Sequence, residues 1–395
     1  MAHGPSTALR FTAAQALLVA AQVVLECSRD CVLLGRFTPT GLPWMYLAIT
    51  GLVLFTAFLQ SRTSGRSTEH LPWLLAGAGV LTLGVWWMPG NALWRVAALS
   101  VATALFSAFL FVQLSLRADA CGWNDRPRTF SWIAAGGPIG ALIGAVAAHL
   151  VLLAGSSQAM LPVSATLSFG AAALVASLPA NIGGAASRPP STALRSAGRA
   201  LAGDRAVRPL VAIGMLAAMA GALADFIFKQ RLVSELPFQR IPPILVHARM
   251  GQAVMAIALQ LASARWLLRK GGAVRGLVLL PAGLFLLSQG MSVGGELAVC
   301  LLARVLEGGL RRSLEPRGAP TERRRDRAGR ALRRMLEPAT QRLGQTAAMG
   351  VIITIAAVGL APIWIMAALA VSSLGWLEWG LRNGADLGSD KKGFT

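Results

Sequence analysis

The sequence predicts an all-α, polytopic membrane fold of about twelve transmembrane helices in two six-helix halves. Three observations carry that expectation. The residues are 55% hydrophobic and only 14% charged, with a mean hydropathy of +0.59. A soluble domain carries about 25% charged residues, so a chain of 395 residues has too few charges here to cover a water-exposed surface. Apolar runs of roughly 18 residues or more recur along the whole length, and such runs read as membrane spans. The basic residues crowd into alternate loops, as they do when a chain crosses a bilayer repeatedly.

Taken in order, the spans are expected near 11–35, 41–60, 71–89, 93–116, 130–154, 160–181, 208–230, 242–265, 273–290, 292–311, 343–361 and 362–381. The first run holds Glu26, Arg29 and Asp30 and has no small-residue cleavage site before further spans follow. It is therefore expected to be a span and not a cleavable signal. "WWMPGN" breaks the third span from the fourth, and Pro362 in "LAPIW" ends the eleventh. With the N-terminus inside, the loops on that side and the two tails carry 30 of the 37 Lys and Arg residues. The other side and the spans hold the remaining seven: Arg29, Arg36, Arg95, Lys229, Arg231, Arg240 and Arg249. That asymmetry predicts both termini in the cytoplasm and a multi-pass location in the cell's inner membrane. It also accounts for the net charge of +20 without a nucleic-acid partner.

The Ser/Pro/Gly/Arg-rich stretch 182–207 reads as a cytoplasmic linker. It separates an N-terminal six-helix bundle, 1–181, from a C-terminal one, 208–395, which carries a basic cytoplasmic loop at 312–342. Six plus six spans around a basic central loop is the layout of major facilitator transporters, whose halves are structural repeats.

Two spans cannot reach membrane length without including charge. Phe11 to Leu25 is 15 uncharged residues and Pro209 to Ala224 is 16, while a span needs about 20. The first must take in Glu26, Arg29 and Asp30, and the seventh Asp225 and Lys229. These charges fall in the outward third of the first span of each half, the pattern of an internal repeat that builds a site at its interface. Asp225 and Lys229, four residues apart, lie on one helix face and can pair; Glu26 and Asp30 also share a face. Each charge at membrane depth costs about 2.5–3.5 kcal/mol on insertion scales, so they face the bundle interior or a wet cavity. They read as a substrate or proton site or as a gate of ion pairs between halves. The plainer reading is a charge pair that snorkels to the headgroups.

In span ten, Arg304 and Glu307 are expected near the inner end, with Glu296 near the outer surface; His247 and Arg249 follow Pro242-Pro243 and are expected at the outer end of span eight. Gln260 is a polar residue in mid-span eight, a solute-contact candidate. Gly136, Gly140 and Gly144 in "GGPIGALIGA" repeat every four residues, the spacing that lets helix backbones approach closely; no GK[ST] ending makes the stretch a phosphate loop. The cysteines Cys27, Cys31, Cys121 and Cys300 show no metal or disulfide spacing. No motif asks for a metal or cofactor. No Ser/His/Asp set or HExxH marks an enzyme. The Arg-rich loop 312–342 is expected to meet anionic lipid headgroups.

Several stretches, in order, resemble the ATP/ADP translocase-like branch of the major facilitator superfamily. They are "SRDCVLLGRF" (28–37), "FVQLSLRADACGWNDRPRTFSWIAAGGPIGALIG" (111–144), "ADFIFKQRL" (224–232), "IALQLASARWLLRKGG" (257–272) and "LEGGLRRSLEPRGAPTERRRDRAGRALRRMLEPATQRLG" (306–344). The resemblance implies exchange or uptake of nucleotides, with cavity cations neutralising phosphates. It singles out Arg29, Asp30, Asp225, Lys229, Glu307 and Arg311. Gly308-Gly309 stand where that branch has Asn-Ser. The function expected is secondary-active transport, by alternating access, of a small anionic solute of nucleotide-like type, driven by exchange or an ion gradient. A lipid-handling protein of the same fold and a non-transporting membrane scaffold are the alternatives.

Overall fold

The computed structural model describes residues 5–35, 70–88, 92–106, 110–120, 126–178, 207–266, 297–314 and 344–355, with shorter pieces between 43 and 55 and between 357 and 378. Every regular element among these residues is a helix. The expected linker 182–207 up to residue 206, span nine, Glu296, Cys121 and most of loop 312–342 lie outside the described residues.

Span one runs Pro5–Leu34, 30 residues or about 45 Å, and starts six residues earlier than the apolar run predicts. Span three is Leu71–Trp87; span four is Ala92–Leu105 followed by Phe111–Ala120; span five is Arg126–Leu153; span six is Met160–Ala176. In the second half, span seven is Val207–Glu235, span eight Ile241–Trp266, span ten Leu297–Leu314 and span eleven Gly344–Ile355. Four of the described helices are long and apolar enough by themselves to cross a membrane: Ser6–Leu34, Trp132–Leu153, Ser157–Ala176 and Phe238–Leu261. The first includes Glu26, Arg29 and Asp30, so the charges do sit inside the helix.

Span five shows why the bundle assembles as it does. Its glycine face lies directly on span one. A Cβ on Gly136 would fall 2.6 Å from the Thr12 carbonyl oxygen, and one on Gly144 would fall 2.5 Å from that of Ala20. Gly140 meets the backbone of Ala16 in the same way. The matches step by four on both helices in the same direction, so the two run parallel at backbone contact. Ser164 of span six clamps span one from the other side, donating to the Ala21 carbonyl at 2.8 Å. The opposite face of span five carries Ile139, Ile143, Val146, Leu150 and Leu153, all exposed. Such an apolar stripe is stable against lipid, not water. Exposed Trp73, Trp87, Trp94 and Trp132 lie towards helix ends, where indole rings settle at a membrane interface.

The two halves meet at one end. Val23, Val24 and Cys27 of span one join Ala141, Ala145 and Ala148 of span five and Val246 and Ala253 of span eight in one buried cluster. Cys31, Leu33 and Leu34 join Leu223, Ile227, Leu232, Ile241 and Leu245 in another. Gly35 at the tip of span one takes the Phe238 ring from the turn between spans seven and eight. The earlier part of span one, from Ala8 to Leu18, packs within its own half.

Gly140→Ala should lower thermal stability in detergent by about 1–3 kcal/mol, the usual cost of overpacking. Gly77→Ala, where nothing lies within 4 Å, should leave it unchanged.

Candidate functional site

Where the two halves meet, their charged residues form one buried layer. Span one delivers Glu26, Arg29 and Asp30, because a continuous helix carries them about a turn apart. Span seven delivers Asp225 and Lys229, span eight Arg249, and span ten Arg304 and Glu307. Tyr46 comes from span two.

Lys229 is the centre. It is 2% exposed, and its ammonium lies 2.9 Å from Asp30 Oδ2 and 3.0 Å from Asp225 Oδ2. It also donates to the Tyr46 hydroxyl at 2.5 Å, and that hydroxyl donates to Asp225 Oδ2 at 2.6 Å. All three ammonium protons therefore have oxygen partners, which is what a buried lysine requires. Asp30 is also held within its own helix: Arg29 donates to Oδ1 through Nη2 at 2.7 Å and through Nε at 3.0 Å. Arg249 bridges Glu26 at 3.0 Å and reaches Asp30 at 3.8 Å, while Gln22 donates to Glu26 Oε1 at 2.9 Å. Arg304 bridges Asp225 Oδ1 at 2.9 Å and pairs with Glu307 on its own helix.

Four carboxylates, Glu26, Asp30, Asp225 and Glu307, face four cations, Arg29, Lys229, Arg249 and Arg304. The layer balances among the described residues. The first half supplies one more acid than base and the second half the reverse, so each half attracts the other. Burying so many charges is tolerable only because pairing and hydrogen bonds offset their desolvation.

Of the residues singled out in the sequence, Glu26, Arg29, Asp30, Asp225, Lys229 and Glu307 come together here. Asp225 and Lys229 do bridge. Arg29 turns to its neighbour Asp30 and not to Glu26, because Arg249 holds Glu26. Gln260, eleven residues after Arg249, lies about 16 Å farther along span eight and is not among the layer's ion pairs. Arg311 lies in the span-ten helix, but its side chain lies outside the description. One expectation is corrected: Arg304, expected near the inner end of span ten, sits midway along that helix with Asp225 opposite it. Arg249, expected at the outer end of span eight, joins the same layer through Glu26. The sequence pattern does not single out Tyr46. It is the only tyrosine in the chain, and its place in an otherwise apolar run is the available signal. Gly308 has a packing reason: a Cβ there would fall 2.7 Å from the Gln252 side chain, whose amide donates to the Arg304 carbonyl at 3.1 Å.

The same architecture occurs in solved structures. The inward-open xylose transporter XylE from E. coli aligns with a TM-score of 0.59 at 11% identity, covering 95% of each chain. A mutant of the peptide transporter POT aligns at 0.59 and 15%, covering 97% of each. The nucleoside transporter NupG aligns at 0.58 and 13%, covering 94% of this chain and 98% of its own. This chain has the major facilitator fold. No protein-family model matches the sequence, and no curated protein matches it.

Asp30→Asn and Lys229→Met should each cost about 3 kcal/mol or more, since each takes one charge out of a buried, balanced set and leaves an excess of the opposite sign. The double variant should cost clearly less than their sum. Melting in detergent checks this, and additivity within about 0.5 kcal/mol would reject the coupling. Tyr46→Phe should cost about 1–2 kcal/mol, the loss of a hydrogen bond to charged partners.

Proposed function

We propose that this chain is a secondary transporter that works by alternating access and carries a small anionic organic solute. The single observation that supports this most is the balanced charged layer spanning both halves at one end of the bundle. By the asymmetry of basic residues, that end faces outward and both termini are cytoplasmic. The layer then acts as an outer gate. Opening it has to part Lys229 from Asp30, Arg249 from Glu26 and Asp30, and the Tyr46 hydroxyl from Asp225 and Lys229, the contacts that cross between halves. The bridges within a half, Arg29 to Asp30, Lys229 to Asp225 and Arg304 to Asp225, persist. Each half thus keeps most of its charges paired when the gate is open, which limits the cost of the rocking motion.

On this reading the halves are 1–181 and 208–395, joined by the cytoplasmic linker 182–207. Because the closed layer is balanced, an anion enters by taking the place of a carboxylate at Arg29, Lys229 or Arg249, and charged oxygens suit that exchange. Gln260 and Arg311 contact the solute deeper in the path, and loop 312–342 rests on anionic headgroups. The resemblance noted in the sequence adds nucleotides as the solute to try first, with exchange or an ion gradient as the energy source.

Uptake of labelled ATP, ADP and orthophosphate into proteoliposomes, with and without preloaded nucleotide, tests this. We expect preloading to stimulate uptake and Lys229→Ala to reduce it at least tenfold. No movement of any of the three by protein that melts cooperatively would remove nucleotides and phosphate as solutes.

A further inference from the structure

Beside the charged layer, a contact between two imidazole rings also joins the halves. His149, near the end of span five, and His247, in the second turn of span eight, face each other with ring centroids 4.9 Å apart and planes tilted by 52°. Nδ1 of His149 is buried and makes no hydrogen bond among the described residues, an expensive state for a ring nitrogen. His247 is exposed, so an ion can reach the pair from outside the bundle. The two rings belong to different halves and stand beside the cluster of Ala145, Ala148 and Val246 that joins spans five and eight.

We propose that His149 and His247 form a binding site for a divalent transition-metal ion, which ties the two halves together at this end. The spacing suits the ligand chemistry. A zinc–imidazole bond is about 2.0–2.1 Å and the ring centroid lies roughly 1.1 Å behind the nitrogen, so two imidazoles on one tetrahedral ion stand about 5 Å apart. Neutral imidazole favours Zn²⁺, Ni²⁺ and Cu²⁺ over Ca²⁺ and Mg²⁺. Two protein ligands leave the remaining positions to water, so binding is reversible and loose. An ion held here latches span five to span eight and keeps the halves from parting. It is independent of the solute and of the charged layer, whose nearest member in sequence, Arg249, is already bridged to Glu26.

The test is thermal melting of the full, untagged chain in detergent against ZnCl₂, with CaCl₂ as the control ion. An ion that binds only the folded state raises Tm. We expect a rise of about 1–2 °C at ten times the apparent Kd, reversed by EDTA and absent with Ca²⁺. His247→Ala and His149→Ala should each abolish it. Because His247 is exposed, its variant should fold like the parent and decides the matter even if His149→Ala does not fold. No rise in the parent, or a full rise retained in His247→Ala, overturns the site. Neither reading depends on transport, so failure here is distinct from failure of the proposed solute.

Discussion

A single buried ammonium, that of Lys229, holds this arrangement together. It is shared between Asp225 on its own helix and Asp30 on the first helix of the other half, with the Tyr46 hydroxyl closing the remaining donor position. An ammonium buried alone would cost several kcal/mol, so the lysine is fully satisfied only while both halves supply oxygens to it. The same constraint explains the rest of the layer. Asp30 receives Arg29, Asp225 receives Arg304, and Glu26 receives Arg249, until every charge has an opposite within reach. The halves are therefore held at this end by a contact that is strong when complete and costly when half made.

That contact requires close control of where span one sits, which the glycine face of span five provides. Gly136, Gly140 and Gly144 bring the two backbones together along three turns, and Ser164 fixes the helix from span six. Span one cannot rotate without a clash, so Glu26, Arg29 and Asp30 point consistently at the second half. Span five in turn carries Ala141, Ala145 and Ala148 to the apolar cluster with span eight, which sets Arg249 opposite Glu26. In the second half, close approach at Gly308 lets Gln252 fasten spans eight and ten, so Arg304 and Arg249 present their charges from a fixed pair of helices.

Much of the charged site is legible in the sequence because it breaks a strong rule. Charges inside an apolar run of membrane length are expensive, so the shortness of the uncharged stretches before Glu26 and before Asp225 is enough to place both sets inside helices. Arg304 misleads for the opposite reason. It stands seven residues from the expected end of span ten in the linear pattern, where a solvated end and an interior position look alike. Tyr46 gives still less signal, because a tyrosine in a span is ordinary packing until its hydroxyl has partners.

By itself, the sequence determined the all-α membrane class, the helical spans among the described residues, the glycine seam and the presence of opposite charges within the first span of each half. These follow from local properties: hydropathy, helical period and the cost of charge in hydrocarbon. Only the tertiary structure decided which charges meet. Asp30 and Lys229 are 199 positions apart in the chain, and their pairing depends on how two helical bundles dock. So do the bridge between Glu26 and Arg249, the turning of Arg29 to its neighbour, and the meeting of His149 with His247. Helix periodicity orders neighbours within one helix; partners across helices are selected by packing, which no linear pattern encodes.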